Sequence, residues 1–352
     1  MELEKTAYNQ ESHLSVSLGS RFRKRILASR RFDWLDKHSG EKPGDFGRVG
    51  VLMGGVSSER DVSLKSGRAV FEALKRHLVD CVVIDINTQD YKEVSRLIRS
   101  HRIDCAFIAL HGRFGEDGQI QRILEVLQIP YTCSGVDASR LAMDKIVSRQ
   151  IFEVYGLPVP RYKILHKLAY SPSRGVYLDF GLPVVVKPAC QGSSIGMTIV
   201  DSYQDLPAAI EKAFAYDENI LLEEYIPGRE VTVGILDEQP LPVIEIVPKR
   251  KFFDYEAKYQ AGLTEYILPA LIDTDLADYV QQLALRAHRL LGCWGCSRID
   301  LIIRNDNSPF ILEVNTIPGF TATSLLPKAA SSVGIDFDQL CLKLIELAYA
   351  RI

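Results

Sequence analysis

Between Arg48 and Leu110 the hydrophobic pattern switches repeatedly between a period of two and a helical period. RVGVLMGG reads as a buried strand ending in a glycine turn, and residues 57–77 follow with Ser/Asp capping signals and helical spacing of Val62, Val70 and Leu74. DCVVIDI reads as a second strand, residues 91–101 as a helix, and DCAFIAL as a third strand. Helical crossovers return each strand to the same direction, so the pattern predicts a parallel sheet. Ligands of such sheets bind at the carboxyl ends of the strands. Two polar clusters fall there, Gly54–Glu59 after the first strand and His111–Gly118 after the third.

Further along, the spacing predicts one helix over 138–154 carrying Met143-Asp144-Lys145. From 160 to 235 shorter elements follow: RYKIL, PVVVKPA, MTIV, a helix near 204–215, NILLEEYI and EVTVGIL. A third region holds the strand PVIEIVP, an aromatic and charged loop over 249–267, a helix near 274–291, two strands, and a helix near 336–350. The expected organisation is a poorly ordered or helical extension over 1–45, an N-terminal α/β domain over 46–138, a central domain over 139–234, and a C-terminal domain over 235–352. The extension carries a basic cluster of Arg21, Arg23, Lys24, Arg25, Arg30 and Arg31.

Composition excludes some classes. Of 352 residues, 47% are hydrophobic and 25% charged, enough for several cores, and the net charge of −3 offers no bulk basic surface for nucleic acid. No apolar run approaches the roughly 18 residues of a bilayer span. The polar N-terminus lacks a signal-peptide core, so a cytoplasmic location is expected. The seven cysteines are scattered, against a disulfide framework. Cys293 and Cys296 form one CxxC without a second ligand pair, and read as two buried thiols beside a turn.

The strands SRIDLIIR (297–304) and PFILEVN (309–315) are separated by Asn-Asp-Asn-Ser, a loop of turn formers. Closing that hairpin places Asp300 opposite Glu313 and Arg298 opposite Asn315, all on one face, with Ile302 and Ile311 on the same face. Two facing carboxylates repel unless a cation bridges them. Two carboxylates and an amide suit Mg²⁺ or Mn²⁺, with phosphate and water completing the shell.

In VVVKPACQGSSIGMTIV a buried strand ends at Lys187, and Gly192, Ser193, Ser194 and Gly196 follow before the next strand. Such a loop turns backbone N–H groups toward an anion, and Lys187 at its mouth points to phosphate. Glu223, Glu224 and Glu230 cluster around a strand end in LLEEYIPGREVTV, where acids can bond a base and a ribose. The stretch Phe252–Tyr266 has the aromatic and charged composition of a lid, and long irregular loops are uncommon without function.

Taken in order, GGVSSERDVSL, HGRFGEDG, AMDK, VKPACQGSSIG, LLEEYIPGREVTV, FFDYEAKY, SRIDLI and EVNTIPGFTATSLLP resemble the ATP-grasp superfamily, and within it the D-alanine–D-alanine ligase family. The resemblance spans residues 48–350. It implies a three-domain α/β (α+β) ATP-grasp architecture with an N-terminal parallel α/β domain, and ATP held between the central and C-terminal domains. It implies that Lys145 and Lys187 bind ATP phosphates and that the Ser193–Ser194 loop closes over them. Glu223 and the backbone at Ile226 would read adenine, Glu230 the ribose, and Phe252 would stack on the base, with Lys258 also a nucleotide contact. Asp300, Glu313 and Asn315 would hold two Mg²⁺ (or Mn²⁺) ions. Glu59 would orient the amine of the first D-alanine and His111 lie near its carboxylate. Arg298 and the Gly319 N–H would stabilise the oxyanion, and Ser324 and Leu325 would hold the second carboxylate. Tyr259, bonded to Ser193 and Glu59, would close the site. A homodimer is expected of the family.

The chain departs from the family pattern in places. Cys190 and Gln191 precede the Gly-Ser-Ser turn where charged or polar residues are more usual, and Cys133 stands where glycine is frequent. Residues 1–45 have no counterpart in the family core. The alternative acceptors are D-serine and D-lactate, with Tyr259 arguing against lactate. A non-enzymatic ATP-binding protein is the reading from another class, and the presence of every expected ligand argues against it.

Overall fold

The computed structural model describes residues 46–248 and 264–351; the expectations for residues 1–45, Phe252, Lys258 and Tyr259 lie outside them. In chain order the elements are β1 (Val49–Gly54), α1 (Arg60–Arg76), β2 (Cys81–Ile86), α2 (Tyr91–His101), β3 (Cys105–Ile108), α3 (Gln119–Leu127), α4 (Val136–Met143), α5 (Lys145–Val154), β4 (Tyr162–His166), β5 (Val184–Pro188), β6 (Thr198–Val200), α6 (Leu206–Phe214) and β7 (Asn219–Glu224). They continue with β8 (Gly228–Leu236), β9 (Gln239–Pro240), β10 (Ile244–Pro248), β11 (Thr264–Ile267), α7 (Thr274–Leu290), β12 (Cys296–Arg304), β13 (Pro309–Asn315), α8 (Leu325–Ser332) and α9 (Phe337–Ala350).

The first sheet has the order β2-β1-β3 and is parallel, as the alternating pattern predicts. Every residue of β1 is buried, which explains its continuous apolar run. Helix α1 buries Val70, Ala73 and Leu74. Its first turn is tied to both neighbouring strands by Ser63, whose Oγ accepts from Gly54 N–H (2.8 Å) and donates to Ala109 O (2.7 Å). This bond pair fixes the carboxyl ends of β1 and β3 against the start of α1, where the polar clusters lie.

The second sheet is antiparallel, β4-β7-β5-β6. Val184 and Val186 of β5 and Ile220 and Leu222 of β7 alternate onto one face and pack against Ile210 and Ala213 of α6. The third sheet runs β11-β10-β8-β12-β13, with β9 paired to β8. Its core face, from Val231, Val233, Ile299, Leu301 and Ile303, packs on Val280, Leu283 and Ala287 of α7. Strand β8 crosses the expected 234/235 division and pairs with strands of the third sheet alone, so the second sheet ends at Glu224.

One predicted helix is two. The spacing over 138–154 is helical, but Asp144 takes an extended conformation (φ −85°, ψ 102°) between α4 and α5. Its carboxylate accepts from Ile146 N–H (2.9 Å) and Val147 N–H (3.1 Å), capping α5 in place of continuing α4. The break makes Lys145 the first residue of α5, where its own N–H reaches Ala189 O at 3.1 Å. Helices α3 and α8 were not anticipated. Gly118 at the N-cap of α3 is a weak start signal; Ser324 at the N-cap of α8 is a usual one that was passed over, although it makes no side-chain capping bond. Within the loop expected over 249–267, Thr264–Ile267 forms an edge strand on β10.

The CxxC is a pair of buried thiols, as read. Cys293 and Cys296 are buried, and Cys296 Sγ lies 3.6 Å from Cys133 Sγ, a partner that spacing could not supply. Burial pushes the Cys293 thiol up to about 12, which keeps it protonated and inert.

Removing the Asp144 cap tests the helix break. Asp144→Ala is expected to lower unfolding free energy by about 1 kcal/mol, read by urea denaturation. No change would mean that packing alone sets the start of α5.

Candidate functional site

Five strands and one helix start converge on a cavity of ≈ 370 Å³ between the second and third sheets. Lys187 enters it from β5, Glu223 from β7, Glu230 from β8, and Asp300 and Glu313 from β12 and β13. Lys145 reaches it from the first turn of α5, and Ser194 and Ile226 from the loops. A smaller cavity of ≈ 20 Å³ adjoins it, lined by Glu116, Gly192 and Asn315 together with Lys145 and Glu313. Lys145 and Glu313 line both, so they stand where the two spaces meet.

The site pairs are those expected, Asp300 facing Glu313 and Arg298 facing Asn315, but beside the loop Ile303 faces Pro309 and Arg304 N–H bonds Ser308 O, so the loop is one residue shorter than expected. Beyond that point the register shifts by a β-bulge between Asp300 and Leu301, so Leu301 faces Ile311. The expectation that Ile311 shares the site face is therefore corrected. Ile311 is buried in the core beneath the third sheet, and Leu312 lines the cavity beside Glu313. A bulge inserts one residue and reverses the parity of everything beyond it.

Positive groups surround the carboxylates. Asp300 is 7% exposed; it accepts from Thr232 Oγ1 (2.6 Å), from Arg298 Nε (2.9 Å) and Nη2 (2.8 Å), and from Asn315 Nδ2 (3.1 Å). Glu313 pairs with Lys145 Nζ at 3.2 Å, and the same ammonium donates to Gln191 O at 2.7 Å. Glu223 is ion-paired with Lys187 Nζ (3.0 Å) and with Arg149. Burial lowers the Lys187 ammonium to about 8, with Arg149 and Lys145 adding to the effect and Glu223 opposing it.

Oxygen donors from Asp300, Glu313 and Asn315 fit a hard divalent cation, because two facing carboxylates supply the charge that such an ion requires. Among the described residues no cluster of three or more His, Cys, Asp or Glu forms a metal site. A cation held by two carboxylates and one amide would need further oxygens from outside these residues.

At the far side of the small cavity the N-terminal sheet contributes Glu59 and His111. Glu59 occupies the N-cap position of α1 but makes no capping bond; its carboxylate accepts instead from Ser193 Oγ. His111 Nε2 lies 3.0 Å from Ser66 Oγ, and its Nδ1 lies 3.4 Å from Glu116. Ser66 Oγ also accepts from Phe320 N–H (3.2 Å), which brings the Gly319 segment to His111. Burial raises the Glu116 carboxyl above its usual range, with His111 opposing and Glu59 adding to the rise. A Cβ on Gly319 would stand 3.0 Å from Ser324 Oγ, so the position is tight for any side chain. Ser324 is the N-cap and Leu325 the first residue of α8.

Thus Lys145, Lys187, Ser194, Glu223, Ile226, Glu230, Asp300 and Glu313 share the larger cavity, and Asn315 joins at its neighbour. Ser193 bonds Glu59 and does not line the larger space; Arg298 is held on Asp300. Tyr259, Phe252 and Lys258 are outside the described residues. Sequence reasoning missed Arg149, Thr232, Ser66 and the role of Glu116. Arg149 alone left a signal: it follows Lys145 by four residues, putting two cations on one helix face.

The family models described as D-ala D-ala ligase N-terminus and C-terminus match residues 48–102 with 87–134, and 151–346. The chain belongs to the D-alanine–D-alanine ligase family. It is 50% identical over 294 residues to the D-alanine–D-alanine ligase of Trichlorobacter lovleyi, covering 83% of this chain and 92% of that one. The ligase of Geotalea uraniireducens is 47% identical over 308 residues, covering 87% and 96%. A solved Bacillus anthracis D-alanine–D-alanine ligase complexed with ATP superposes with a TM-score of 0.75 at 33% identity, covering 86% of this chain and 98% of that one. The family's ATP-grasp architecture agrees with the α/β fold expected from the sequence.

Gly112 probes the geometry around Glu59. Its φ is +74°, and a Cβ there would lie 2.7 Å from Glu59 Oε2. Gly112→Ala is expected to cost about 1–2 kcal/mol from the left-handed backbone alone, measured by chemical denaturation. An unchanged midpoint would show that the loop relaxes freely.

Proposed function

We propose that this chain is an ATP-dependent, ADP-forming ligase that joins two D-alanines into D-alanyl-D-alanine for peptidoglycan synthesis. The observation that carries the reading is the convergence of Asp300, Glu313, Lys145 and Lys187 on one cavity, in a chain of this family. The names of its relatives favour D-alanine as acceptor over D-serine or D-lactate.

A carboxylate is a poor acyl donor. Transfer of the γ-phosphoryl group to the first D-alanine gives an acyl phosphate, and the amine of the second D-alanine attacks its carbonyl carbon and expels phosphate. Lys145 and Lys187 hold the phosphates, with the Ser193–Ser194 turn closing over them. Bound at Asp300, Glu313 and Asn315, two Mg²⁺ or Mn²⁺ ions would neutralise charge on the transferring group. Glu230 takes the ribose, and Phe252 and Lys258 complete the nucleotide site. Because Lys187 and Arg149 occupy the Glu223 carboxylate, we assign the adenine contact to the backbone around Ile226.

Glu59 orients the amine of the first D-alanine and His111 faces its carboxylate. Arg298 and the Gly319 N–H stabilise the tetrahedral oxyanion, and Ser324 and Leu325 at the start of α8 hold the second carboxylate. We assign to Tyr259 the closing of the site through Ser193 and Glu59, because an acyl phosphate hydrolyses where water enters. We further assign three domains, one to each sheet, a cytoplasmic location and a homodimer. No helix of the described residues is long and apolar enough to cross a membrane.

Phosphate release that depends on ATP and D-alanine, and is absent with L-alanine, tests the reading; activity blind to stereochemistry would refute it. Glu313→Gln is expected to lower kcat by at least about 100-fold, as loss of one electrostatic group at the transferring phosphate does, and unchanged turnover would sink the metal assignment. Lys187 is charged below about pH 8 and loses its proton as pH rises through that value. Nucleotide affinity of the free enzyme is therefore expected to be full below that pH and to fall above it, by up to about tenfold per unit. Calorimetry on either side of it decides, and equal affinities would remove Lys187 from phosphate binding.

A further inference from the structure

Arg149 is the buried charge that the mechanism above leaves unused. It is 1% exposed and sits one helical turn beyond Lys145 on α5. Its Nη1 donates to Ile311 O at 3.3 Å and its Nη2 to Leu312 O at 3.0 Å, while the guanidinium is also ion-paired with Glu223. Its Nε finds no partner among the described residues. An arginine buried this fully is held for the bonds it makes, because desolvating the charge costs several kcal/mol.

The two carbonyls belong to the bulge in β13. On its site side Asp300 faces Glu313; on its far side Leu301 faces Ile311, which leaves Leu312 as the extra residue. Bulges leave backbone groups outside the ladder, and buried carbonyls need donors. Continuing the far register without a bulge would set Glu313 opposite Ile299, which is buried in the core face of the sheet. Glu313 would then point away from Asp300 and from the cavity. The bulge is thus the condition for the carboxylate pair, and Arg149 supplies donors to its carbonyls.

We propose that Arg149 is a positioning residue for the metal group: by bonding the Ile311 and Leu312 carbonyls it stabilises the bulge that turns Glu313 toward Asp300. Through Glu223 it also ties that strand to Lys187, so the metal group and the phosphate lysine are set by one side chain. This inference rests on the functional reading above and goes beyond it, since Arg149 lines neither cavity.

The test measures Mn²⁺ binding to the full chain by electron paramagnetic resonance, with a non-hydrolysable ATP analogue and no D-alanine, so that turnover plays no part. Wild type, Arg149→Met, Arg149→Lys and Glu313→Gln are compared, each with its thermal unfolding midpoint. Arg149→Met is expected to weaken Mn²⁺ binding about 10–100-fold, the range for loss of a residue that orients a metal ligand. Arg149→Lys is expected to recover part of that loss, because an ammonium can serve one carbonyl but not the forked pair. In the assay with Mg²⁺, the KM for the first D-alanine is expected to change less than twofold, since Glu59 and His111 are not touched. Wild type whose Mn²⁺ binding is unaffected by Glu313→Gln overturns the metal reading itself, and this inference with it. A folded Arg149→Met that binds Mn²⁺ as wild type does, while Glu313→Gln does not, overturns this inference alone. Should Arg149→Met not fold, Arg149→Lys decides: wild-type Mn²⁺ affinity overturns the inference, and weakened affinity at an unchanged unfolding midpoint supports it.

Discussion

Two carboxylates facing each other across a strand pair repel, and burial sharpens the repulsion. Asp300 and Glu313 are in that position, and much of the surrounding structure is arranged to tolerate it. Arg298, Thr232 and Asn315 donate to Asp300, and Lys145 pairs with Glu313. Each donor comes from a different place: Arg298 from the same strand, Thr232 from β8, Asn315 from β13, and Lys145 from α5. The charge pair therefore depends on the third sheet and on the helix that leads into the second. A cation bound between the carboxylates would take over part of what these donors do.

The second constraint is the buried network of Glu223, Lys187 and Arg149. One carboxylate lies between two cations, so the network carries net positive charge toward the cavity. That excess suits a polyanion; burial lowers the Lys187 ammonium to about 8, with Glu223 opposing the shift and Arg149 adding to it. Glu223 lies on β7, Lys187 on β5, and Arg149 reaches across to β13. The second and third sheets are thus joined behind the cavity by charge. The same economy appears at Glu59. It stands where a capping residue belongs, yet its carboxylate is used on Ser193, and the start of α1 goes without that cap.

Much of the site was legible because strand parity is a strict rule. Parity put Asp300 with Arg298 and Glu313 with Asn315, and the observed pairs agree, although the loop is one residue shorter than expected and the bulge is what restores the expected register. The parallel sheet followed from alternating periods, and Lys187 from its place at the end of a buried strand. Less was legible where polar side chains compete with the backbone. Asp144 ends one helix and caps the next, and helical spacing on both sides hides the break. Ile311 was placed on the wrong face because a bulge has no composition of its own. Arg149 was passed over because an arginine on a helix is usually solvated, and nothing nearby in sequence announces the carbonyls it meets.

What the sequence by itself determined is most of the elements, the facing pairs at the site end of one hairpin, and the chemical types gathered at strand ends; these depend on neighbours a few residues apart. Only the tertiary structure decided which of those ends meet. Arg149 bonds carbonyls 162 and 163 residues away, Ser193 bonds a carboxylate 134 residues away, and Ser66 bonds an amide 254 residues away. Contacts at such separations are fixed by how three sheets and their helices pack, and no local period encodes packing between sheets. The bulge belongs to both levels: its residues are local, but the donors that make it stable come from a helix elsewhere in the chain.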